Sequence, residues 1–540
     1  MEIRTESKDG EILQGIDQAR AEIERRLRLH PKEWLEKLRK SPGDFADLEQ
    51  KVHLAFKQMA DQMVAGLLAQ VSEPAAFTES AKKKVMANAT VKLRSGEARP
   101  LLIRLLGGMI IYATTLYCSP AKRHPKDKDT GKSKGRGREG SGLYPELGVL
   151  GIQEGKSPAL VREVGRKVAL LPSYEIARQE LAEEGLNLDI KELYAIGKHA
   201  GEAALAYRRR ELQLYREGKL PAGNGKGKRL GAMIDGGRTK IRRNTCKQKG
   251  SGQTKTQQRR YKTDWREVKQ IIVFEMDERG RMKKGTKPIL DGTFEGPDEI
   301  MELLAMRLHQ MGASQAEVVA FRTDGANWMW DRLDWVIQRL GLKTKQVSKG
   351  LDWCHAAHHL SLALTGILQQ KEAREAKYKE LRETLKKKKG GWDDVVAELH
   401  RLANQANVAT DSSVWTEIAY LARHGDEGHL DYAEYERKGL PLGSGAIEST
   451  IRRVNNLRLK GNGIFWEAEN AEAMLALRGL VLSGRWKEVF AKITESLSHD
   501  RRLEWKWESP DMPAELKAGI KIKPPKPQAS IEKGSYAAAA

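Results

Sequence analysis

Leu48, Val52, Ala55, Phe56, Met59, Met63 and Leu67 recur every three or four positions near the start of the chain. That spacing lines one face of a helix and predicts helices over residues 12–28 and 43–71, a helical region suited to dimerisation, support or DNA binding. The pattern changes over residues 99–117, where apolar runs flank Gly107-Gly108, as in two strands joined by a tight turn. Helical spacing returns over residues 157–217. Ser157-Pro158 opens one helix, Ser173 caps a second that stops at Gly185, and Asp189 caps a third carrying Lys191, Tyr194 and Lys198. Helix, glycine-containing turn, helix is the outline of a helix-turn-helix DNA-binding module, an outline that many helical hairpins share.

Further along, apolar runs over 268–276, 286–293, 317–323 and 344–348 predict strands, and the spacing over 297–311 and 328–340 predicts helices between them. Strands that come first and then alternate with helices indicate an α/β or α+β sheet domain. After Asp352 the chain reads as helical over 355–370, 371–388, 392–405 and 414–424, with no strand before Pro441. Trp392 and Trp415 suit the core of that helical block. Final helices are expected over 446–459 and 467–483.

Charge sharpens this outline. The 540 residues carry a formal net charge of +22. Such an excess, clustered in stretches, points to a polyanionic partner held through phosphates. Between residues 219 and 262 Asp235 is almost alone among cations that include Arg238, Lys240, Arg242 and Arg243. Residues 121–142 are rich in glycine and lysine and read as a loop, either a solvated linker or a phosphate-contacting arm. The segment beyond Pro510 reads as a disordered tail. The three cysteines, Cys118, Cys246 and Cys354, form no CxxC pair, which argues against a disulfide framework and a cysteine-rich zinc finger. No run is long and apolar enough for a membrane span, and the N-terminus lacks the plan of a signal peptide, so a cytoplasmic protein with no membrane partner is expected.

Three carboxylates stand out against this basic background. Asp235 follows Ala232-Met233-Ile234, Asp324 ends the run beginning at Val318, and Glu448 lies in the first turn of the helix opened by Gly443-Ser444-Gly445. Each has an ordinary explanation. Asp-Gly pairs make turns after strands, and an acidic residue favours a helix N-terminus. Together, two strand-borne aspartates and a helix-borne glutamate could converge as hard oxygen ligands for a pair of Mg²⁺ or Mn²⁺ ions in phosphoryl transfer. Arg452 and Asn455, one and two turns after Glu448, would share its face.

Met233-Ile234-Asp235-Gly236-Gly237, Arg322-Thr323-Asp324-Gly325-Ala326-Asn327-Trp328 and Gly443-Ser444-Gly445-Ala446-Ile447-Glu448-Ser449 resemble the three blocks of DDE transposases. The likeness is to bacterial insertion-sequence enzymes of the ISKra group. Further similar segments are Gly140–Pro145, the Ser173-Tyr174 module, Arg458–Trp466 and Ala471–Arg478. The likeness spans residues 100–490. Some relatives carry cysteine pairs near the N-terminus that suggest a zinc ribbon, and this chain has none.

The resemblance implies an RNase H-like mixed sheet flanked by helices and interrupted by an all-α insertion. It implies Asp235, Asp324 and Glu448 as ligands of two Mg²⁺ (or Mn²⁺) ions. It also marks Asp352-Trp353-Cys354-His355, similar to a (Cys or Asp)-x-x-His motif, with His355 near the scissile phosphate. A zinc site or polar packing involving Cys354, His355, His358 and His359 is the other reading of that segment. Arg452 and Asn455 would orient DNA phosphates or Glu448 itself, Lys460 and Trp466 would contact transposon ends, and Arg453 would meet DNA, alongside Lys191 and Lys198 of the helical module. The implied partners are double-stranded DNA, transposon terminal inverted repeats and target DNA, engaged by a homodimer or higher homo-oligomer in the bacterial cytoplasm, associated with the nucleoid. The expected activity is strand cleavage followed by strand transfer. A structure-specific nuclease that does not join, and a catalytically silent DNA-binding derivative, are the alternatives. The expected segments are 1–98 (helical), 99–156 (hairpin and basic loop), 157–220 (helix-turn-helix-like), 221–352 (sheet), 353–440 (all-α), 441–508 (C-terminal helices) and 509–540 (tail).

Overall fold

In the computed structural model, residues 2–6, 12–14, 45–88, 92–121, 142–244, 261–461 and 463–499 are described, with a few positions between 17 and 39. Most of the glycine- and lysine-rich loop, Cys246 and the tail lie outside the described residues. The chain divides into two units. One takes Met1–Tyr207 with Arg485–Glu508, and the other is built on Arg208–Gly484. No described helix is long and apolar enough to cross a membrane.

The first unit holds a four-stranded sheet in the order β2-β1-β4-β3, from β1 (Glu2–Glu6), β2 (Ile12–Gln14), β3 (Leu93–Arg104) and β4 (Ile110–Pro120). The expected β3–β4 hairpin is present, turning through Gly108 at φ 95°. Asp61, on α1 (Phe45–Ser72), accepts hydrogen bonds from Gly107 N and Met109 N, both at 3.0 Å, and so fixes the turn. The helix expected over 12–28 needs correcting at its start. Ile12–Gln14 pairs with β1, which in turn pairs with the edge of β4. Burial of Ile3 and the open ladder groups of β4 outweigh local helical spacing there. α2 (Ala75–Asn88) and α3 (Pro145–Val149) complete this part.

The helical module follows the sequence closely. α4 (Pro158–Leu170) is capped by Ser157, and α5 (Tyr174–Glu183) by Ser173. Asp189 Oδ1 accepts from the backbone N–H groups of Lys191 and Glu192, both at 2.8 Å, at the start of α6 (Ile190–Arg216). A helix the periodicity reading left out, α16 (Trp486–His499), packs on this module, with Trp486 Nε1 donating to the carbonyl of Arg162 at 2.9 Å.

The second unit is built on a mixed five-stranded sheet, β7-β6-β5-β8-β9, flanked by helices. Its strands are β5 (Arg229–Asn244), β6 (Tyr261–Glu275), β7 (Ile289–Thr293), β8 (Val318–Thr323) and β9 (Val347–Leu351). β7, β6 and β5 are antiparallel neighbours, whereas β8 and β9 run parallel to β5. Residues 344–346, expected to begin a strand, form a 3₁₀ turn just before β9. Leu230, Ala232 and Ile234 point to a core shared with α7 (Pro297–Gln310) and α8 (Asn327–Arg339), through Ile300, Leu304, Leu333 and Val336. Period-two alternation sends Asp235, Gly237 and Thr239 to the opposite face.

Residues 353–437 form five consecutive helices: α9 (Trp353–Ile367), α10 (Lys371–Lys387), α11 (Gly391–Gln405), α12 (Ser413–Asp426) and α13 (Tyr432–Arg437). The single helix expected over 446–459 is broken. α14 (Gly445–Ile451) passes into a π-helical turn, Arg452–Asn456. α15 (Ala468–Leu482) lies against β7.

Candidate active site

Asp235 is not a turn residue. It sits inside β5 opposite Gln270, and the ladder continues through Gly236 and Gly237. The last parallel pair joining β5 to β8 is Ile234 with Thr323, so Asp235 and Asp324 leave that ladder side by side. Asp324 does also shape a turn, since its Oδ1 accepts from Ala326 N at 3.1 Å, and its backbone carbonyl accepts from Tyr420 Oη at 3.2 Å. Glu448 arrives from above. α14 packs on β5 and β6, and a Cβ on Gly237 would lie 2.9 Å from Asn455 Nδ2 and 3.2 Å from Ile451 Cγ2. Glycine at 237 therefore permits the close seating of the glutamate-bearing segment.

Electrostatics couples the three acids. Burial pushes the Asp235 carboxyl up to about 6. The hydrogen bond from Gly236 N and the charge of His355 oppose that rise, while Asp324 and Glu448 reinforce it. None of the three carboxylates forms an ion pair with lysine or arginine among the described residues. Their ligand atoms do not form one tight group: among the described residues only His424, Glu427 and His429 bring three such atoms within 4.8 Å of one another.

Asp352, fully buried, fixes the surroundings. It caps α9, accepting at Oδ1 from His355 N at 2.9 Å and from His355 Nδ1 at 3.1 Å. Its Oδ2 accepts from Ser444 N, the residue before α14. Its own N–H donates to Thr323 O at 2.8 Å. One residue thus joins the end of β8, the histidine helix and the glutamate helix. The bond to Asp352 raises the pKa of His355 against its partial burial, and the charges of Asp352, Asp324 and Asp235 add to the rise. Arg322, buried and with no carboxylate partner among the described residues, donates Nε to Pro441 O at 2.5 Å and anchors the approach to Gly443. Its desolvation lowers its pKa to about 10.

Arg322 and Ser444 stand in the sequence blocks without a role of their own and Tyr420 carries no motif, because their signal is partnership across the fold. The (Asp)-x-x-His segment was legible. Its zinc reading is not supported, because Cys354, His355, His358 and His359 do not gather as a ligand group among the described residues. His359 instead pairs with Glu417 and stacks on Tyr420 at 3.8 Å between ring centroids.

The expected DNA-contacting residues separate. Asn455 is buried, its Oδ1 accepting from Thr239 Oγ1 at 2.5 Å, so it does not share the exposed face of Glu448. The π-helical turn changes the rotation per residue and defeats the simple spacing. Trp466 is buried, with its carbonyl accepting from Arg242 N at 2.7 Å. Arg242 pairs with Glu467 at 2.7 Å. Arg453 donates Nε to Ser449 O at 3.3 Å. Arg238, Arg452 and Lys460 are exposed. Lys240 and Lys460 both lie over the exposed ring of Trp265, at 5.1 and 5.7 Å. Lys191 is exposed, and Lys198 pairs with Glu202 at 3.3 Å. The backbone of Arg243 lies in β5.

No family model matches this chain, and no curated protein matches it.

Proposed function

We propose that the chain is a DNA transposase of the DDE type, with the second unit as an RNase H-like core interrupted by the helices of residues 353–437. The observation that carries the reading is the meeting of Asp235, Asp324 and Glu448, from mid-strand, strand end and helix, at one unpaired carboxylate cluster. The sequence blocks that resemble this family coincide with these positions, and a five-stranded mixed sheet flanked by helices agrees with such a core.

Two Mg²⁺ or Mn²⁺ ions bound by the three carboxylates would activate water or a 3′-hydroxyl and stabilise the departing oxygen. The chain contributes the rest. Asp235 and Asp324 are set by adjacent strands, so their spacing is rigid. Glu448 is set by Ser444, Asp352 and the Gly237 contact. His355, held through Nδ1 by Asp352, keeps its other ring nitrogen as a donor toward a phosphate oxygen. Lys240, Lys460 and Trp265 offer two cations and an aromatic face to a DNA backbone. Lys191 and the helix-turn-helix-like module would recognise the transposon ends. Coordinated cutting of two ends calls for at least two copies.

The test uses the purified full-length protein, Mg²⁺ or Mn²⁺, and a labelled duplex carrying the DNA that borders its own gene. Cleavage and joining of a 3′ end are expected. Asp235→Ala, Asp324→Ala and Glu448→Ala should each reduce both steps by about a hundredfold or more, with DNA binding retained. Cleavage without joining would make the protein a nuclease. Full activity in all three variants would remove the site assignment.

A further inference from the structure

A second group of chemistry-bearing side chains lies away from the carboxylates, where α12 ends. His424 and His429 are buried, and their Nδ1 atoms lie 3.2 Å apart. Glu427 Oε2 lies 3.2 Å from the His429 nitrogen and 3.5 Å from the His424 nitrogen. Zinc bonds of about 2.0–2.1 Å in a tetrahedron separate neighbouring ligand atoms by roughly 3.3 Å. The three observed separations match that edge.

Hydrogen bonding alone serves this triangle poorly. If both rings donate to Glu427, two N–H groups face each other. If one proton bridges the rings, Glu427 faces the lone pair of whichever ring accepts it. A divalent cation satisfies all three atoms together. Both rings are buried, and the neutral imidazole is the form that binds metal. His429 stacks on Trp330 at 3.9 Å between ring centroids, which sets its plane. Glu427 is exposed, leaving a fourth position for water.

We propose that His424, Glu427 and His429 form a Zn²⁺ site that clips the end of the helical block to the sheet. The clip would hold two connections. His429 O accepts from Leu351 N at 2.9 Å, one residue before Asp352. α12 carries Tyr420, which donates to Asp324 O. One existing contact must yield. Arg423 lies 3.2 Å from His424 Nε2, and metal on Nδ1 leaves the proton on Nε2, so the exposed guanidinium swings away.

The experiment is metal analysis of the full-length protein after chelator treatment and reloading with Zn²⁺ alone. One zinc per chain is expected, retained in Asp235→Ala and Glu448→Ala but lost, or weakened at least about tenfold, in His424→Ala and His429→Ala. Arg423→Gln should bind zinc at least as tightly as the parent. Cobalt loading of the unmodified chain should give the visible absorption of a tetrahedral nitrogen–oxygen site, a readout that does not depend on a variant folding. No stoichiometric zinc and no such cobalt spectrum would overturn the proposal. So would zinc that disappears in Asp235→Ala and persists in His429→Ala. Neither result depends on whether the protein cuts DNA.

Discussion

The second unit contains two sets of acidic side chains with opposite treatment. Asp291, Glu211 and Glu472 are buried and paired. Arg307 reaches Asp291 and Glu211, each at 2.6 Å, while Arg208 reaches Asp291 at 3.1 Å and also Glu472. Burial alone would raise the Asp291 carboxyl, but the two arginines outweigh it and hold it below its ordinary value. Asp235, Asp324 and Glu448 have no such partner among the described residues, and Asp235 moves the other way. In a chain of net charge +22, cations are abundant. Among the described residues the one cluster takes up two arginines and the other takes up no lysine or arginine, so burial is compensated by opposite charge in the first alone.

The largest effect should come from breaking the paired set. Arg307→Ala leaves Asp291 and Glu211 buried without their shared cation, and should cost about 3–5 kcal/mol, read from urea unfolding of the full chain. A loss below about 1 kcal/mol would show that solvent reaches the network and that the contrast with the open cluster is weak.

The second effect has the opposite sign. A carboxyl raised in the folded state contributes stability that is present below its unfolded pKa and is lost as pH rises through about 6. Metal-free protein therefore carries an unfavourable Asp235 charge at pH 7–8. Asp235→Asn should stabilise it there by on the order of 2 kcal/mol, with the gain vanishing near pH 4, while removing cleavage. Equal effects at both pH values would point to packing instead of charge.

Much of this contrast was readable before the fold was known, and the limits are physical. Asp235 was visible because it is the one acid in a basic stretch, Asp324 because it ends a strand-like run and Glu448 because it follows a glycine-serine-glycine helix start, and most helices followed from spacing and caps such as Ser157, Ser173 and Asp189. Convergence was not visible, since it depends on the register that brings Ile234 beside Thr323. Asp235 looked like a turn because Asp-Gly-Gly favours one, yet the β5–β6 ladder carries the strand through the glycines. The π-helical turn after Ile451 has no spacing signature, so Asn455 was misplaced. β1 and α13 are five and six residues long, too short to show a period. The apolar positions Trp486, Val489, Phe490 and Ile493 did carry the helical signal of α16.

A smaller effect concerns the charge that the open cluster does accept. Asp352 raises the pKa of His355, so His355 keeps its proton to a higher pH than an isolated imidazole. If protonated His355 faces the phosphate, activity falls as pH rises through that point. Asp352→Asn removes the supporting charge, so the decline should begin at lower pH, with cleavage down about tenfold at pH 8. An unshifted profile with uniformly lower activity would assign Asp352 to holding the two helix starts alone.

The smallest effect tests where cations were placed once excluded from the cluster. Lys240 and Lys460 share the exposed ring of Trp265 instead of pairing with an acid. A cation without a carboxylate partner is free to replace a counterion on DNA, and each phosphate it meets adds about one unit to the salt dependence of binding. Lys460→Ala should therefore flatten the slope of log affinity against log salt by about one, with little change in stability, because the side chain is exposed. Trp265→Ala should weaken binding with less change in slope, since a ring contributes stacking and no charge. If neither variant alters the slope or the affinity, this end of the β5–β6 hairpin does not lie on the DNA, and the unpaired cations there only keep the surface soluble.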